Sequence, residues 1–448
     1  MPSDILHLKA PGNWMNDPNG FIYYKGQYHM FYQYFPYAPV WGTMHWGHAV
    51  STDLVHWEHR ETALCPTKNY DRNGIFSGSA LELDGELALY YSAVRYLKED
   101  GENIHVPVDD AFETSQAMLI SPDGIRFDNW NGKRQILPVI REDETADSRH
   151  TRDPKVWEHN GIYYMALGST YRDQTGRIVF YRSFDGKNWE YLNQYQSEKY
   201  GRVIECPDIF EVDGRYIFAG SPMYITEDGY DYSHQAVCAP AIFRPETCEL
   251  KLPDSYQFID CGLDFYAPQT NVDASGRRVM FGWMRMPEAV DDPGDGRGMW
   301  NGMLSLPRVV EWEEDHICFR VHPETDRSFV RTEKNAEEID FKKPFRVKTT
   351  LAQGSSLDIG GYVITVEDDC VVADRSRVFP RTGRPRLVSR TPRLGGRYEL
   401  DVFVEPNLTE IFINGGRYVL SNVVYGMKPY IEGDIWELSL MREQGHLR

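Results

Sequence analysis

The sequence is 448 residues long, enough for two or more domains, each with its own core. Its 48 Lys and Arg against 67 Asp and Glu give a formal charge of −19, which repels phosphate backbones and anionic headgroups and excludes nucleic acid and membrane surfaces as partners. Seven cysteines, at 65, 206, 238, 248, 261, 318 and 370, form no Cys-x-x-Cys pair, which argues against a disulfide framework or a structural zinc. His45 and His48 lie three apart on an expected strand and so face opposite ways; no metal and no cofactor is expected. The chain has no long apolar run, and its start, Met1 to His7, lacks the regions of a signal peptide, so the expected compartment is the cytoplasm. The 28 Tyr, 21 Phe and 11 Trp supply strand formers and flat surfaces for stacking on sugar rings.

In chain order, the first informative stretch is Trp14-Met15-Asn16-Asp17-Pro18-Asn19-Gly20, in which Asn-Asp-Pro and Asn-Gly are turn signals around a carboxylate. It opens a pattern of polar start, apolar strand, Gly-centred turn and aromatic-rich strand. The pattern recurs from Ser77 through Gly85, from Arg152-Asp153-Pro154 through Gly161 and from Glu205-Cys206-Pro207 through Gly214. A weaker fifth copy runs from Ala267 through Gly276. Turn glycines at 26, 85, 161, 214 and 276 fit one four-stranded sheet per repeat, which predicts an all-β chain with a five-bladed β-propeller. Ser51-Thr52-Asp53, Ser121-Pro122-Asp123 and Ser183-Phe184-Asp185 read as outer hairpin turns of three blades. Beyond Leu306 the pattern stops. The expected organisation is a propeller over residues 1–315, a polar linker over 316–340 and a small β-sandwich over 341–448, where Leu400, Val402, Val404, Ile411 and Ile413 alternate before the turn Asn414-Gly415-Gly416. No strong amphipathic helix is expected.

Equivalent strands of a propeller point the same way, so residues at equal offsets before the turn glycine meet at one end of the channel. Asp17 and Glu205 precede their glycines by nine residues and Asp153 by eight, which brings three carboxylates together; the matching positions of the other repeats are Ser77 and Gln269. A cluster of three negative charges raises at least one pKa, and one ionised with one protonated carboxyl suits glycoside hydrolysis.

Trp14 to Gly20, Arg152-Asp153-Pro154 and Glu205-Cys206-Pro207 together resemble the three signatures of glycoside hydrolase family 32, the invertases, fructanases and sucrose-6-phosphate hydrolases. Phe31-Tyr32-Gln33, Trp46 to Ser51, Phe76 to Ala80 and Asp264 to Ala267 extend the match over nearly the whole chain. The resemblance implies a five-bladed propeller with a C-terminal sandwich. It also implies Asp17 as nucleophile, Glu205 as acid and base, and Asp153 as the residue that holds fructose hydroxyls. It places Asn16, Gln33, Trp41, Phe76, Ser77 and Trp283 in the fructose pocket, with Arg152 and Tyr266 also among the substrate-binding residues; Trp41, Phe76 and Trp283 read equally well as core aromatics. Arg152 is expected to keep Asp153 ionised, while Ile204, Cys206 and Pro207 favour a protonated Glu205. A retaining double displacement follows, with the carboxyls of Asp17 and Glu205 about 5–5.5 Å apart.

Thr151 and Ile204 stand where the family often has aromatics, a departure that bears on pocket shape. Loops 98–113, 141–150 and 285–300 are expected either to shape the leaving-group side or to be plain solvated connections. The expected function is a β-fructofuranosidase, acting as monomer or homodimer on sucrose, its 6-phosphate or short fructo-oligosaccharides. A fructosyltransferase and a non-catalytic fructoside-binding propeller are the alternatives.

Overall fold

A computed structural model describes residues 3–140, 147–226, 232–262, 264–292, 296–333, 336–380 and 383–442. Parts of the expected loops, residues 141–146 and 293–295, lie outside the described residues, as do the first two positions of the start. The described chain is strand and loop apart from short 3-10 turns and one five-residue helix, Pro323–Arg327. No helix among the described residues is long and apolar enough to cross a membrane. The chain divides into two compact units: Met1–Thr226 with His234–Gln257 and Tyr266–Ser305, and Glu227–Ser233 with Phe258–Phe265 and Leu306–Arg448.

The first unit is a succession of antiparallel sheets. Asn13–Tyr24, Gln27–Phe35, His45–Ser51 and His56–His59 run side by side in the first, which Ser3–Ile5, Gly298–Asn301 and Val290–Asp292 extend at its edges. Gly74–Leu83, Glu86–Tyr96, Phe112–Ser121 and Lys133–Leu137 form the second, and Arg152–His159, Ile162–Tyr171, Thr175–Ser183 and Glu190–Ser197 the third. Val203–Val212, Arg215–Met223, Val237–Arg244 and Glu249–Lys251 lead the fourth, and the hairpin Phe265–Val272 with Arg278–Met284 follows.

Local chemistry explains the repetition. Lys25-Gly26, Asp84-Gly85, Asn160-Gly161 and Asp213-Gly214 all have positive φ at both residues, the two-residue hairpin turn whose twist matches that of the strands. The outer turns share a second device: Asp53, Asp123 and Asp185 each accept two backbone N–H bonds from the residues two and three positions on, at 2.8–3.0 Å. Successive sheets bury common cores. Ile22, Phe31 and Trp46 pack with Leu87 and Tyr91, then Tyr90 and Met118 with Met165 and Val179, then Tyr164 and Phe180 with Ile204 and Phe218. His45 and His48 are both occupied internally, His45 Nδ1 at 2.9 Å from the Thr43 carbonyl and His48 Nε2 at 3.0 Å from His29 Nδ1.

Two expectations need correction. The stretch Trp14 to Gly20 is not a turn: it lies inside the 12-residue strand Asn13–Tyr24, whose pairing slips between Met15 and Pro18 and again between Asn19 and Ile22. Proline has no N–H for the ladder, so Asp-Pro is accommodated as a bulge in a long strand rather than as a reversal. The described residues of the expected linker 316–340 are also structured for the most part. His316–Val321 pairs with Arg308–Glu313, Phe329–Arg331 pairs with Glu437–Met441, and the charges that suggested a linker are rim ion pairs such as Arg320 with Glu311 and Glu313.

In the second unit a six-stranded sheet centred on Phe345–Thr350 and Glu399–Glu405 and a five-stranded sheet centred on Tyr362–Glu367 contribute to one core. Val347, Val402 and Ile411 from the first meet Leu357, Ile364 and Val371 from the second. Two buried guanidiniums anchor its polar interior: Arg308 with Asp260 at 2.7 Å and Glu410 at 2.6 Å, and Arg375 with Asp264.

Candidate active site

The bulge of the first strand recurs in three others, at Phe76/Gly78, Arg152/Lys155 and Glu205/Asp208. In each case the broken ladder frees a side chain from the sheet's alternation and turns it toward one end of the unit. Asp153, Cys206 and Ala267 carry φ of 65°, 48° and 51°, and each is followed by a proline whose missing N–H costs no ladder bond at the break. In the second sheet a glycine does this work, because a Cβ on Gly78 would lie 1.9 Å from the Tyr90 carbonyl oxygen.

The result is a cavity of about 360 Å³ lined by Asn16, Asp17, Gln33, Trp41, Phe76, Arg152, Asp153, Glu205, Tyr266 and Trp283, together with Tyr96, Pro107, Asp110 and Phe112. All the expected site residues but one therefore share a wall. The exception, Ser77, sits just behind it and donates its hydroxyl to Asp17 Oδ2 at 2.5 Å. Gln269 does not reach the cavity. Its amide is engaged below, donating to the Gly78 carbonyl at 3.3 Å and accepting from Lys155 Nζ at 3.1 Å, and the left-handed Ala267 presents Tyr266 in its place. Thr151 and Ile204 do not line the cavity either: Thr151 bonds Ser169 at 2.9 Å, and Ile204 is in the core with Tyr200 and Phe218. Trp41 stands edge-on to Phe76 at 6.0 Å and Trp283 edge-on to Trp14 at 5.9 Å, so these aromatics are packed and wall-forming at once.

Asp17 is held on both oxygens. Asn16 donates to Oδ1 at 3.1 Å, and Oδ2 receives the Ser77 hydroxyl, Gln33 Nε2 at 3.4 Å and the Cys206 thiol at 3.7 Å. Asp153 Oδ2 accepts the backbone N–H of Cys206 at 2.9 Å and the same thiol at 3.7 Å, so Cys206 bridges the two carboxyls. Glu205 accepts Arg152 Nη2 on Oε1 at 2.7 Å and the Tyr266 hydroxyl on Oε2 at 2.6 Å. The second Arg152 amino group donates to His150 Nδ1 at 2.8 Å, a ring that burial and the two neighbouring arginines push down to about 2 and keep neutral.

This geometry overturns the expected electrostatics. Arg152 pairs with Glu205, not Asp153, because both side chains leave their bulges toward the same wall. Burial raises Glu205, but the Arg152 charge and the bonds from Tyr266 and Arg152 outweigh it and hold the carboxyl below its usual range. Burial lifts Asp153 to about 7, Arg152 offsetting only part of this and the charges of Glu205 and Asp17 adding to it. Burial lifts Asp17 to about 6, opposed by the Ser77 bond and aided by the Glu205 charge. Of the three carboxyls, Asp153 is shifted furthest toward its protonated form and Glu205 is shifted away from it.

A stability consequence follows. Asp17 and Asp153 bind protons more tightly folded than unfolded, so their contribution is fully present below the unfolded value of 3.8 and is lost as pH rises through about 6 and about 7. At neutral pH both carboxyls oppose folding. Asp153→Asn, which keeps an acceptor for the Cys206 N–H, is expected to raise Tm by several degrees at pH 8 and to change it little at pH 4; thermal unfolding at the two pH values measures this, and a gain at pH 4 alone contradicts it.

Sequence reading missed Cys206 as the bridge and Tyr96, Pro107, Asp110 and Phe112 as wall. Cys206 was visible inside the third signature; Tyr96 ends the strand Glu86–Tyr96, and Pro107, Asp110 and Phe112 come from loop 98–113, whose contribution depends on how the loop folds back. Loop 285–300 places none of its described residues on the wall.

Residues 7–323 match the family model described as the glycosyl hydrolases family 32 N-terminal domain. The chain is similar to a sucrose-6-phosphate hydrolase of Escherichia coli, 30% identical over 94% of this chain and 88% of that protein, and to a raffinose invertase of Escherichia coli, 31% identical over 98% and 92%. Among solved structures, a family 32 β-fructofuranosidase of Bombyx mori superposes with a TM-score of 0.81 at 29% identity, covering 97% of this chain and 93% of that one.

Proposed function

Because the chain belongs to glycoside hydrolase family 32, we propose that Asp17, Glu205 and Asp153 share out the steps of a retaining fructoside hydrolysis. The chain is a glycosidase, a fructosidase that hydrolyses sucrose. Asp17 attacks the anomeric carbon of the terminal fructosyl unit and forms an ester as the glycosidic bond breaks. Glu205 gives its proton to the departing oxygen, then takes one from the water that cleaves the ester and returns Asp17 to its starting state. Asp153 accepts hydroxyl bonds from the ring and steadies the positive charge that develops on it.

The observation that carries this reading is the single cavity in which three carboxyls from three sheets meet, each with different partners. Asp17 is bonded only by uncharged donors, and burial and the Glu205 charge lift it no further than about 6, so that it is mostly ionised at neutral pH. Glu205 is the carboxyl with a cation beside it, so its protonation state responds to whatever engages Arg152. We assign the sheets of residues 1–315 to a five-bladed propeller and residues 341–448 to a β-sandwich, read from the repeating hairpins and the two-sheet core. Seven free thiols support a reducing, cytoplasmic location.

Proton NMR of the first turnover on sucrose tests the mechanism. Retention releases β-fructofuranose before mutarotation, and initial appearance of the α anomer overturns the double displacement. At high sucrose the same spectra separate hydrolysis from transfer, since a transferase accumulates tri- and tetrasaccharides in place of free fructose.

A further inference from the structure

Besides Asp17, Asp153 and Glu205, the cavity is lined by Pro107, Asp110 and Phe112 from loop 98–113 and by Tyr96, while Phe112 and Trp41 both pack near Phe76, at 6.4 and 6.0 Å. Loop 98–113 is a folded extension of its strands rather than a slack connection. Leu97 N donates to the Ala111 carbonyl at 2.8 Å, Val108 N to the Lys98 carbonyl at 3.0 Å, and the Tyr96 hydroxyl to the His105 carbonyl at 2.9 Å. His105 is itself tied to Thr43 at 2.8 Å and set edge-on against Phe35.

At the end of this loop Asp109 and Asp110 have φ of 55° and 53°. Two consecutive non-glycine residues in the left-handed region are costly, and such strain persists where the surrounding structure has a use for it. Here it turns the exposed Asp110 carboxylate onto the cavity wall. Arg149 bonds it at 3.1 Å but is shared with Asp173 at 3.2 Å, so the group of three keeps a net negative charge. Among the described lining residues, Asp17, Asp110 and Glu205 stand against a single cation, Arg152, which Glu205 already engages, so the wall is net negative even with Asp153 protonated.

We infer that Asp110 is a specificity-determining residue that accepts hydroxyl hydrogen bonds from the leaving group and selects an uncharged sugar there over a phosphorylated one. This rests on the fructosidase reading above. A neutral glucosyl unit offers several O–H donors to the carboxylate and an apolar ring face to Phe112 and Trp41, whereas a phosphate dianion meets the field of the carboxylates at close range.

The test compares kcat/KM for sucrose and sucrose-6-phosphate. The native enzyme is expected to favour sucrose about tenfold or more. Asp110→Asn should narrow the ratio by about fivefold and Asp110→Lys by about twentyfold, and raising salt should narrow it in the native enzyme but much less in Asp110→Asn, a response that a purely structural role would not produce. A native preference for the phosphate, or a ratio unmoved by charge reversal and by salt, overturns the inference while leaving the fructosidase intact. Release of no monosaccharide from either sugar would remove the fructosidase reading, and this inference with it.

Discussion

Asp17→Asn is expected to lower kcat on sucrose by on the order of 10⁵-fold while leaving sucrose binding within a few-fold of native. The amide has nearly the shape of the carboxylate and can still accept the Ser77 hydroxyl that Asp17 Oδ2 receives at 2.5 Å, so the pocket keeps its form. What it loses is an ionised oxygen able to form a bond. The native residue has that oxygen for a physical reason: donation from Ser77, Asn16 and Cys206 opposes the effect of burial and leaves Asp17 at about 6, mostly ionised at neutral pH. Initial rates on sucrose and calorimetric binding to the variant, run together, are the measurement. Near-native turnover would assign the nucleophile elsewhere, and loss of binding in parallel with rate would mean that the substitution had disrupted the pocket.

The parts of this arrangement legible in the sequence were those with local causes. Lys25-Gly26, Asp84-Gly85, Asn160-Gly161 and Asp213-Gly214 are turn dipeptides whose conformation is set by their own φ preferences, and the structure has them as hairpin turns. Asp53, Asp123 and Asp185 close their turns onto their own backbone, again within a few residues. From the spacing of such features the convergence of three carboxyls could be anticipated. The bulges could not, because a bulge is a mismatch between two strands and exists only once the partner is in register. Asp17-Pro18 therefore read as a turn, and Gln269 was placed where Tyr266 stands. The ion pair has a related cause: Arg152 and Asp153 both reach the cavity, but the bulge between Arg152 and Lys155 turns the guanidinium onto Glu205 of the next sheet, and its charge offsets only part of the burial of Asp153. Asp110 belongs to a loop whose composition says solvated connection and whose backbone bonds bring it to the wall.

The same ion pair sets the second large effect, on Glu205→Gln. Both oxygens of Glu205 accept from donors, Arg152 at 2.7 Å and Tyr266 at 2.6 Å, and a carboxyl so placed is a base rather than an acid. To protonate a departing sugar it must first gain a proton, and Asp153 is the neighbouring carboxyl whose burial most favours holding one. Fructose hydroxyls supply the means, since hydrogen bonds donated to Asp153 favour its ionised form and shift a proton toward Glu205. Glutamine keeps the acceptor for Arg152 but has no proton to give, so kcat on sucrose is expected to fall by about 10³–10⁴-fold. The fall should depend on the leaving group. A fructoside whose leaving group is a weakly basic phenolate needs no acid and should show a rapid burst of about one equivalent, followed by slow turnover, because the ester then lacks its base. Azide, which attacks without a base, should restore that turnover. An equal loss on both substrates with no burst would show that Glu205 positions Arg152 instead of moving a proton. A neutral partner leaves the buried Arg152 charge less well compensated and lowers Tm in either case, so thermal unfolding is used to confirm that the variant is folded at the assay temperature.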